Sequence, residues 1–170
     1  RSALALLIAV TSTVASAQVA NYPSKPVTVI VPFAAGGSVD SAARVVLQSL
    51  SERTKQSFVV ENVAGAAGTI GTQKVVRANN DGYTLLFAVA SPINVAPVVK
   101  PSMVQYNALK ELTPIATVAS SPFVLIANNK LPANNAAELL ALAKKEPGKL
   151  NYGTDGVGTS MHLTAEIIKL

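Results

Sequence analysis

The sequence predicts an α/β fold built on a parallel sheet, and three observations carry that reading. Apolar, β-branched runs alternate with stretches of helical spacing between Val27 and Val89. The connections between them are short, as in strand–helix–strand units with right-handed crossovers. Hydrophobic residues make up 49% of the 170 residues and charged ones 14%, which is enough apolar material for a buried core.

The elements follow in order. Arg1, the apolar run Ala3 to Val10 and the small-residue end Ala15-Ser16-Ala17 describe a secretory signal peptide over residues 1–17. The run falls short of the about 20 apolar residues that a spanning helix needs; the alternative is a buried N-terminal helix. With no initiator Met, the sequence is expected to begin inside the signal, and cleavage after Ala17 would leave a chain starting at Gln18. Asn21 to Pro26 is a turn-rich lead-in. Val27 to Phe33 fits a strand buried on both faces. Ala43, Val46, Leu47 and Leu50 then share one side of a helix that starts at Ser41. Phe58 to Glu61 is a second strand, and Gly65 to Gly71 leads into a helix ending near Arg77. Asn79-Asn80-Asp81-Gly82 is a turn, and Thr84 to Val89 is the third strand.

The pattern changes after Ala90. Ser91 to Lys110 has three prolines, few helix signals and no clear period. Pro114 to Ala119 and Pro122 to Ala127 read as short strands. Leu131-Pro132 opens a helix with Leu139, Leu140, Leu142 and Ala143 facing inward, which Pro147-Gly148 ends. Leu150 to Gly153 is a brief strand, and Gly156 to Ser160 opens a last helix. That helix stops at the apolar Leu170 without a cap, so the second unit is expected to be truncated at its C-terminal side.

Composition excludes several classes of function. With no cysteine there is no disulfide framework, thiolate metal site or Cys nucleophile. The net charge is +5, or +4 once Arg1 leaves with the leader, and the basic residues are scattered. Together with the absence of Trp, this disfavours a nucleic-acid surface; a mild positive field suits a small anion.

Three glycine-containing loops, 34–38, 64–71 and 153–160, lie at strand-to-helix junctions, and the polar junction Ala90 to Asn94 follows the third strand. In open α/β sheets ligands bind beyond the carboxyl ends of the strands. A helix N-terminus there offers unpaired N–H groups to an anion, and glycine lets a ligand approach the amides. Ser38, Ser91, Thr159 and Ser160 would add hydroxyl donors. For any one loop, a plain turn with an N-cap explains the residues better than a site does; several converging on one edge point to a cleft. Asp40 fits a capping or loop-ordering role, since a carboxylate in contact with an anionic ligand would repel it.

Enzyme signatures are sparse. No G-x-x-x-x-G-K-[ST] or G-x-G-x-x-G pattern is present. His162 is the only histidine, and it stands two residues from Ser160, a spacing at which helical side chains do not face each other. There is no G-x-S-x-G elbow.

Five ordered segments carry a resemblance: Y-P-S-K-P-V-T-V-I-V-P-F-A-A-G-G-S-V-D (22–40), V-V-E-N-V-A-G-A-A-G-T-I-G (59–71), D-G-Y-T-L-L (81–86), L-T-P-I-A-T-V (112–118) and P-G-K-L-N-Y-G-T-D-G-V-G-T-S-M-H-L (147–163). Together they resemble the Bug family, the extracytoplasmic solute receptors of tripartite tricarboxylate transporters. The resemblance implies a periplasmic binding protein of type II, with two α/β lobes closing like a Venus flytrap. It divides the chain into a first lobe over 18–100, a crossover and hinge over 101–120 and the start of a second lobe over 121–170. It also implies a carboxylate ligand, no cofactor or metal, no catalysis, and delivery to a permease of one large and one small membrane subunit. Two alternatives are a solute sensor presenting its ligand to a membrane sensor protein and a periplasmic hydrolase on the same fold.

Carried over residue by residue, Phe33, Ala34, Ala35, Gly36, Gly37 and Ser38 resemble the family's first ligand-facing loop, and Asp40 its loop-ending acid. Ser91 and Asn94 stand at a junction that also lines the family's cleft. Gly158, Thr159 and Ser160 resemble the helix start that holds a ligand carboxylate, with His162 close by. The junction Ala90-Ser91-Pro92-Ile93 departs from the family's usual glycine- and threonine-containing form, and Asn80 stands where a proline commonly precedes D-G-Y.

Overall fold

The computed structural model describes residues 22–169; the expected leader lies outside the described residues. Val27–Val31 (β1) is the middle strand of a three-stranded sheet, flanked by Phe58–Asn62 (β2) and Thr84–Leu86 (β3) in the order β2-β1-β3. Both pairings are parallel, with Val27 opposite Phe58, Val31 opposite Asn62 and Thr28 opposite Thr84. A central strand has both edges paired and both faces covered, so an apolar β-branched run is the sequence that fits it. Val27, Val29, Ile30 and Val31 are each 1% exposed or less. Each such side chain contributes about 1.5–3 kcal/mol of burial free energy.

Ser38–Thr54 (α1) lies against β1 and β2, with Ala43 and Leu47 buried one turn apart on its inner face. Thr69–Val76 (α2) lies against β1 and β3. The first crossover moves from β1 to β2, and the second returns past β1 to β3. Right-handed crossovers in opposite directions place α1 and α2 on opposite faces of the sheet. The lead-in is tied to the turn before β3. Tyr22 Oη donates to Gly82 O at 2.6 Å, Tyr83 Oη lies 3.0 Å from Ser24 Oγ, and Lys25 pairs with Asp81 at 3.4 Å.

Several expectations need correction. The first helix begins at Ser38 rather than at Ser41, with Gly37 at its cap position. The third strand ends at Leu86 rather than Val89. Ser91 to Lys110 is more helical than its prolines suggest. A π-helical turn, Ser91–Val95, runs into Ala96–Val99 (α3); a 3₁₀ turn follows at Pro101–Met103 and a short helix at Ala108–Glu111 (α4). Pro92 and Pro101 occupy first turns, where a missing N–H has no partner to lose; Pro97 stands where the π-helical turn passes into α3.

The strands expected over 114–119, 122–127 and 150–153 do not form. A strand exists through its ladder, and among the described residues every ladder bond belongs to β1, β2 or β3. Ala136–Lys145 (α5) starts five residues after Leu131, at a capping box. Asn135 Oδ1 accepts from Glu138 N at 2.9 Å, and Glu138 reaches back to Asn134 N at 2.7 Å. The inward-facing residues expected of this helix are not buried: Leu139, Leu142 and Ala143 are half-buried and Leu140 is exposed. Ser160–Lys169 (α6) is the last described helix. None of the described helices is long and apolar enough to cross a membrane.

Candidate functional site

The reversal of direction after β2 makes the crevice beyond the carboxyl ends of β1 and β3 the topological switch point of this sheet, the usual ligand position in open α/β folds. The predicted loop 34–38 follows β1 there, and the predicted junction 90–94 follows β3.

The loop after β1 is ordered by a buried acid. Asp40, 2% exposed, accepts from Gly36 N at 2.8 Å, from Arg44 Nε at 3.0 Å and from Asn62 Nδ2 at 3.0 Å. The Arg44 guanidinium, the Gly36 amide and the Asn62 amide together hold its carboxyl at about 2, below its ordinary 3.8. This is the loop-ordering role the sequence suggests for Asp40. It also means that the Gly36 amide is engaged by the protein itself. Phe33 is half-buried, whereas Ala34, Ala35, Gly36, Gly37 and Ser38 are exposed. Gly36 has φ +80, with open space where a Cβ would point.

The second junction loop reaches the same place. Gly65, Ala66, Ala67 and Gly68 all have positive φ, forming a left-handed turn into α2. A Cβ on Gly68 would lie 3.3 Å from the Phe33 ring and 3.2 Å from Pro92, so the loops after β1, β2 and β3 meet at this glycine. Three residues on, a Cβ on Gly71 would stand 2.8 Å from both Pro32 Cβ and Val63 O; no larger residue fits between α2 and the end of β1. Thr72 is buried and donates to Gly68 O at 2.9 Å.

Ser91 and the start of α6 complete the cluster. Ser91, 1% exposed, accepts from Ser160 N at 3.1 Å, and the two hydroxyl oxygens lie 3.3 Å apart. Thr159 is fully buried and caps α6, accepting from His162 N at 3.1 Å while lying 2.7 Å from Gly156 O. Gly158 is buried, and its Cβ position lies 3.9 Å from Ala67 Cβ. His162 faces Glu166 along its own helix, with Nε2 3.7 Å from Oε1. Ser160 and His162 thus point to different partners.

The structure therefore gathers Phe33, Ser91, Gly158, Thr159 and Ser160 around the left-handed turn. Asn94 is exposed on the π-helical turn. Sequence reasoning passed over three contributors. Arg44 and Asn62 bind Asp40, and Tyr106 Oη donates to Pro92 O at 2.6 Å, holding the turn after β3 in place. Arg44 stands one helical turn after Asp40, a spacing that signals an ion pair; Asn62 carries no such local signal. An open groove of about 560 Å³ adjoins the left-handed turn at Ala66 and is otherwise lined by Thr69, Gln73, Lys74, Arg77 and Met103 among others; it contains none of the predicted site residues. No group of His, Cys, Asp and Glu among the described residues could hold a metal ion.

Comparison with known proteins adds an independent line. The family described as tripartite tricarboxylate transporter family receptor matches residues 42–170. A UPF0065 protein of Bordetella pertussis (strain Tohama I) is 39% identical over 95% of this chain and 50% of its own length. Protein BugT of the same organism is 36% identical over 98% of this chain and 51% of its own. The chain thus spans about half the length of the curated relatives it matches. Three solved structures are similar. One is R. palustris Rpa4515 with adipate, at TM-score 0.83 and 33% identity over 87% of this chain and 49% of that one. MatC (Rpa3494) from Rhodopseudomonas palustris with bound malate gives 0.78 and 29% over 88% and 52%. The periplasmic binding protein BugD gives 0.71 and 33% over 88% and 50%.

Proposed function

Because the chain belongs to the tripartite tricarboxylate transporter receptor family, Bug proteins included, we propose that the protein is a periplasmic receptor for a small carboxylate. The observation that carries this reading is the cluster at the switch point, where Ser160 N–H at the start of a helix already finds an oxygen acceptor in Ser91. A ligand carboxylate offers the same kind of acceptor with a full charge, which the positive end of the helix favours. Capture then consists of exchanging an internal hydroxyl for a ligand oxygen, with residues 33–38 closing from the side of the first lobe and Gly158, Thr159 and Ser160 from that of the second. The thirteen residues Phe33 to Ser38, Asp40, Ser91, Asn94, Gly158 to Ser160 and His162 are the proposed site, Asp40 acting through the loop it orders.

Support for the ligand class comes from similar structures described with adipate and with malate, both dicarboxylates. The family's description also supports delivery to a membrane transporter; a permease of one large and one small subunit and export through the N-terminal leader complete the proposal. The separation of Ser160 from His162 favours binding over ester hydrolysis, in which a hydroxyl must donate to a base.

A thermal-shift screen of the whole gene product against carboxylates, with neutral sugars as controls, tests this. At a hundredfold excess over Kd a ligand specific for the folded state adds about 2.7 kcal/mol of stability. The expected outcome is a raised midpoint with one or more di- or tricarboxylates; shifts with sugars alone would refute the ligand class.

A further inference from the structure

Asn62, the last residue of β2, bonds both ends of the loop after β1 from outside it. Its Nδ2 donates to Phe33 O at 3.1 Å and to Asp40 Oδ1 at 3.0 Å, while its Oδ1 accepts from Arg44 Nη2 at 3.3 Å. Three of the four hydrogen bonds open to one Asn side chain, both of its donors included, are therefore spent on the two ends of the segment 33–40 and on the helix behind it. The amide orientation is fixed by its partners, since the reverse would set its oxygen against a carbonyl and a carboxylate. Asp40 passes the constraint on to Gly36 N at the exposed tip. Beyond these contacts the tip is held through Gly37, whose N donates to Ala34 O at 3.4 Å and whose O accepts from Ser41 N at 2.9 Å.

We propose that Asn62 is a positioning residue for ligand capture, fixing the shape of the loop 33–40 by joining its first carbonyl to its terminal acid. The proposal rests on the receptor reading above. Asn suits the position because it is neutral and donates twice. Leucine, of similar size, would leave Phe33 O and a buried Asp40 oxygen without their donor. Aspartate would remove both protons and place a second negative charge beside Asp40. A loop freed from this tie has to be ordered by the ligand, which lowers affinity without removing a ligand contact. The charged groups that meet the position are Asp40 and Arg44, both from α1.

The test measures Kd for adipate, malate and citrate on the whole gene product, its Asn62→Ala and Asn62→Asp variants and Arg44→Gln, from pH 5 to 8. Amide NMR signals of Gly36, Gly37 and Ser38 are followed in parallel. Expected is a tenfold or greater weakening for both Asn62 variants with moved loop signals, and a smaller loss for Arg44→Gln. The Asn62→Asp deficit relative to wild type should shrink towards pH 5, as the new carboxyl regains a proton to donate; the Asn62→Ala deficit should stay level. A shared loss of stability cannot produce that difference. Binding within twofold of wild type in folded Asn62 variants overturns the inference. Should those variants not fold, wild-type affinity in Arg44→Gln, whose side chain is half exposed, overturns it instead. A wild-type protein that binds none of the three acids overturns the receptor reading, which is a different result from a wild type that binds and variants that bind alike.

Discussion

At the scale of single residues, the buried acid Asp40 ties a local charge to the shape of a whole loop. Its carboxyl is held at about 2, chiefly by Arg44 and then by Gly36 and Asn62. A depressed folded value stabilises the protein fully above the ordinary 3.8, and that contribution is lost as the pH falls towards 2. Asp40→Asn should therefore be less stable than wild type at neutral pH, with the gap closing between about pH 4 and 2. Urea unfolding across that range checks it; a gap that does not change with pH would contradict the assignment. Asp40 was legible in the sequence because an acid in a first helical turn has a local reason to be there. Asn62 was not, because its partners stand up to 29 residues away and only the register of β2 against β1 brings them into reach.

At the scale of elements, strands and helices separate into those that the chain can complete locally and those that need a neighbour. The strands at 27–31, 58–62 and 84–86 were readable because each is an apolar run between turn signals and each has a ladder partner. The runs at 114–119 and 122–127 carry the same composition without a partner among the described residues, and composition alone does not make a strand. The start of α5 was misplaced for a simpler reason: Leu131-Pro132 resembles a helix opening, whereas Asn135 with Glu138 forms the capping box. The packing of α2 on β1 gives a prediction at this scale. Gly71→Ala would place a methyl 2.8 Å from Val63 O and from Pro32 Cβ, and overpacking of this kind costs about 1–3 kcal/mol. Denaturant unfolding should show a loss in that range with an unchanged slope, and a loss below about 0.5 kcal/mol would mean that α2 shifts freely on the sheet.

At the scale of the whole molecule, burial divides unevenly along the chain. The large buried side chains belong mainly to β1 and its surroundings, whereas Ile115, Val124 and Ile126 are 79%, 75% and 85% exposed. A surface of that kind calls for a partner, and the relatives, at twice the length, carry further sequence able to supply one. A polypeptide limited to residues 18–170 is accordingly expected to bind a hydrophobic dye strongly and to bind carboxylates poorly or not at all. Micromolar affinity for a carboxylate in that fragment would show that the described residues form a sufficient site by themselves.

The order β2-β1-β3 also has a consequence in time. The strand at the centre of the sheet is the first to leave the ribosome, and its two neighbours follow it in the sequence. Its second edge cannot close until residue 86 is made, 55 residues after Val31. At about 5–20 residues per second that is a wait of roughly 3–11 s. Throughout it, the most apolar of the described strands lacks one edge partner and depends on whatever else in the cell can keep it from pairing elsewhere.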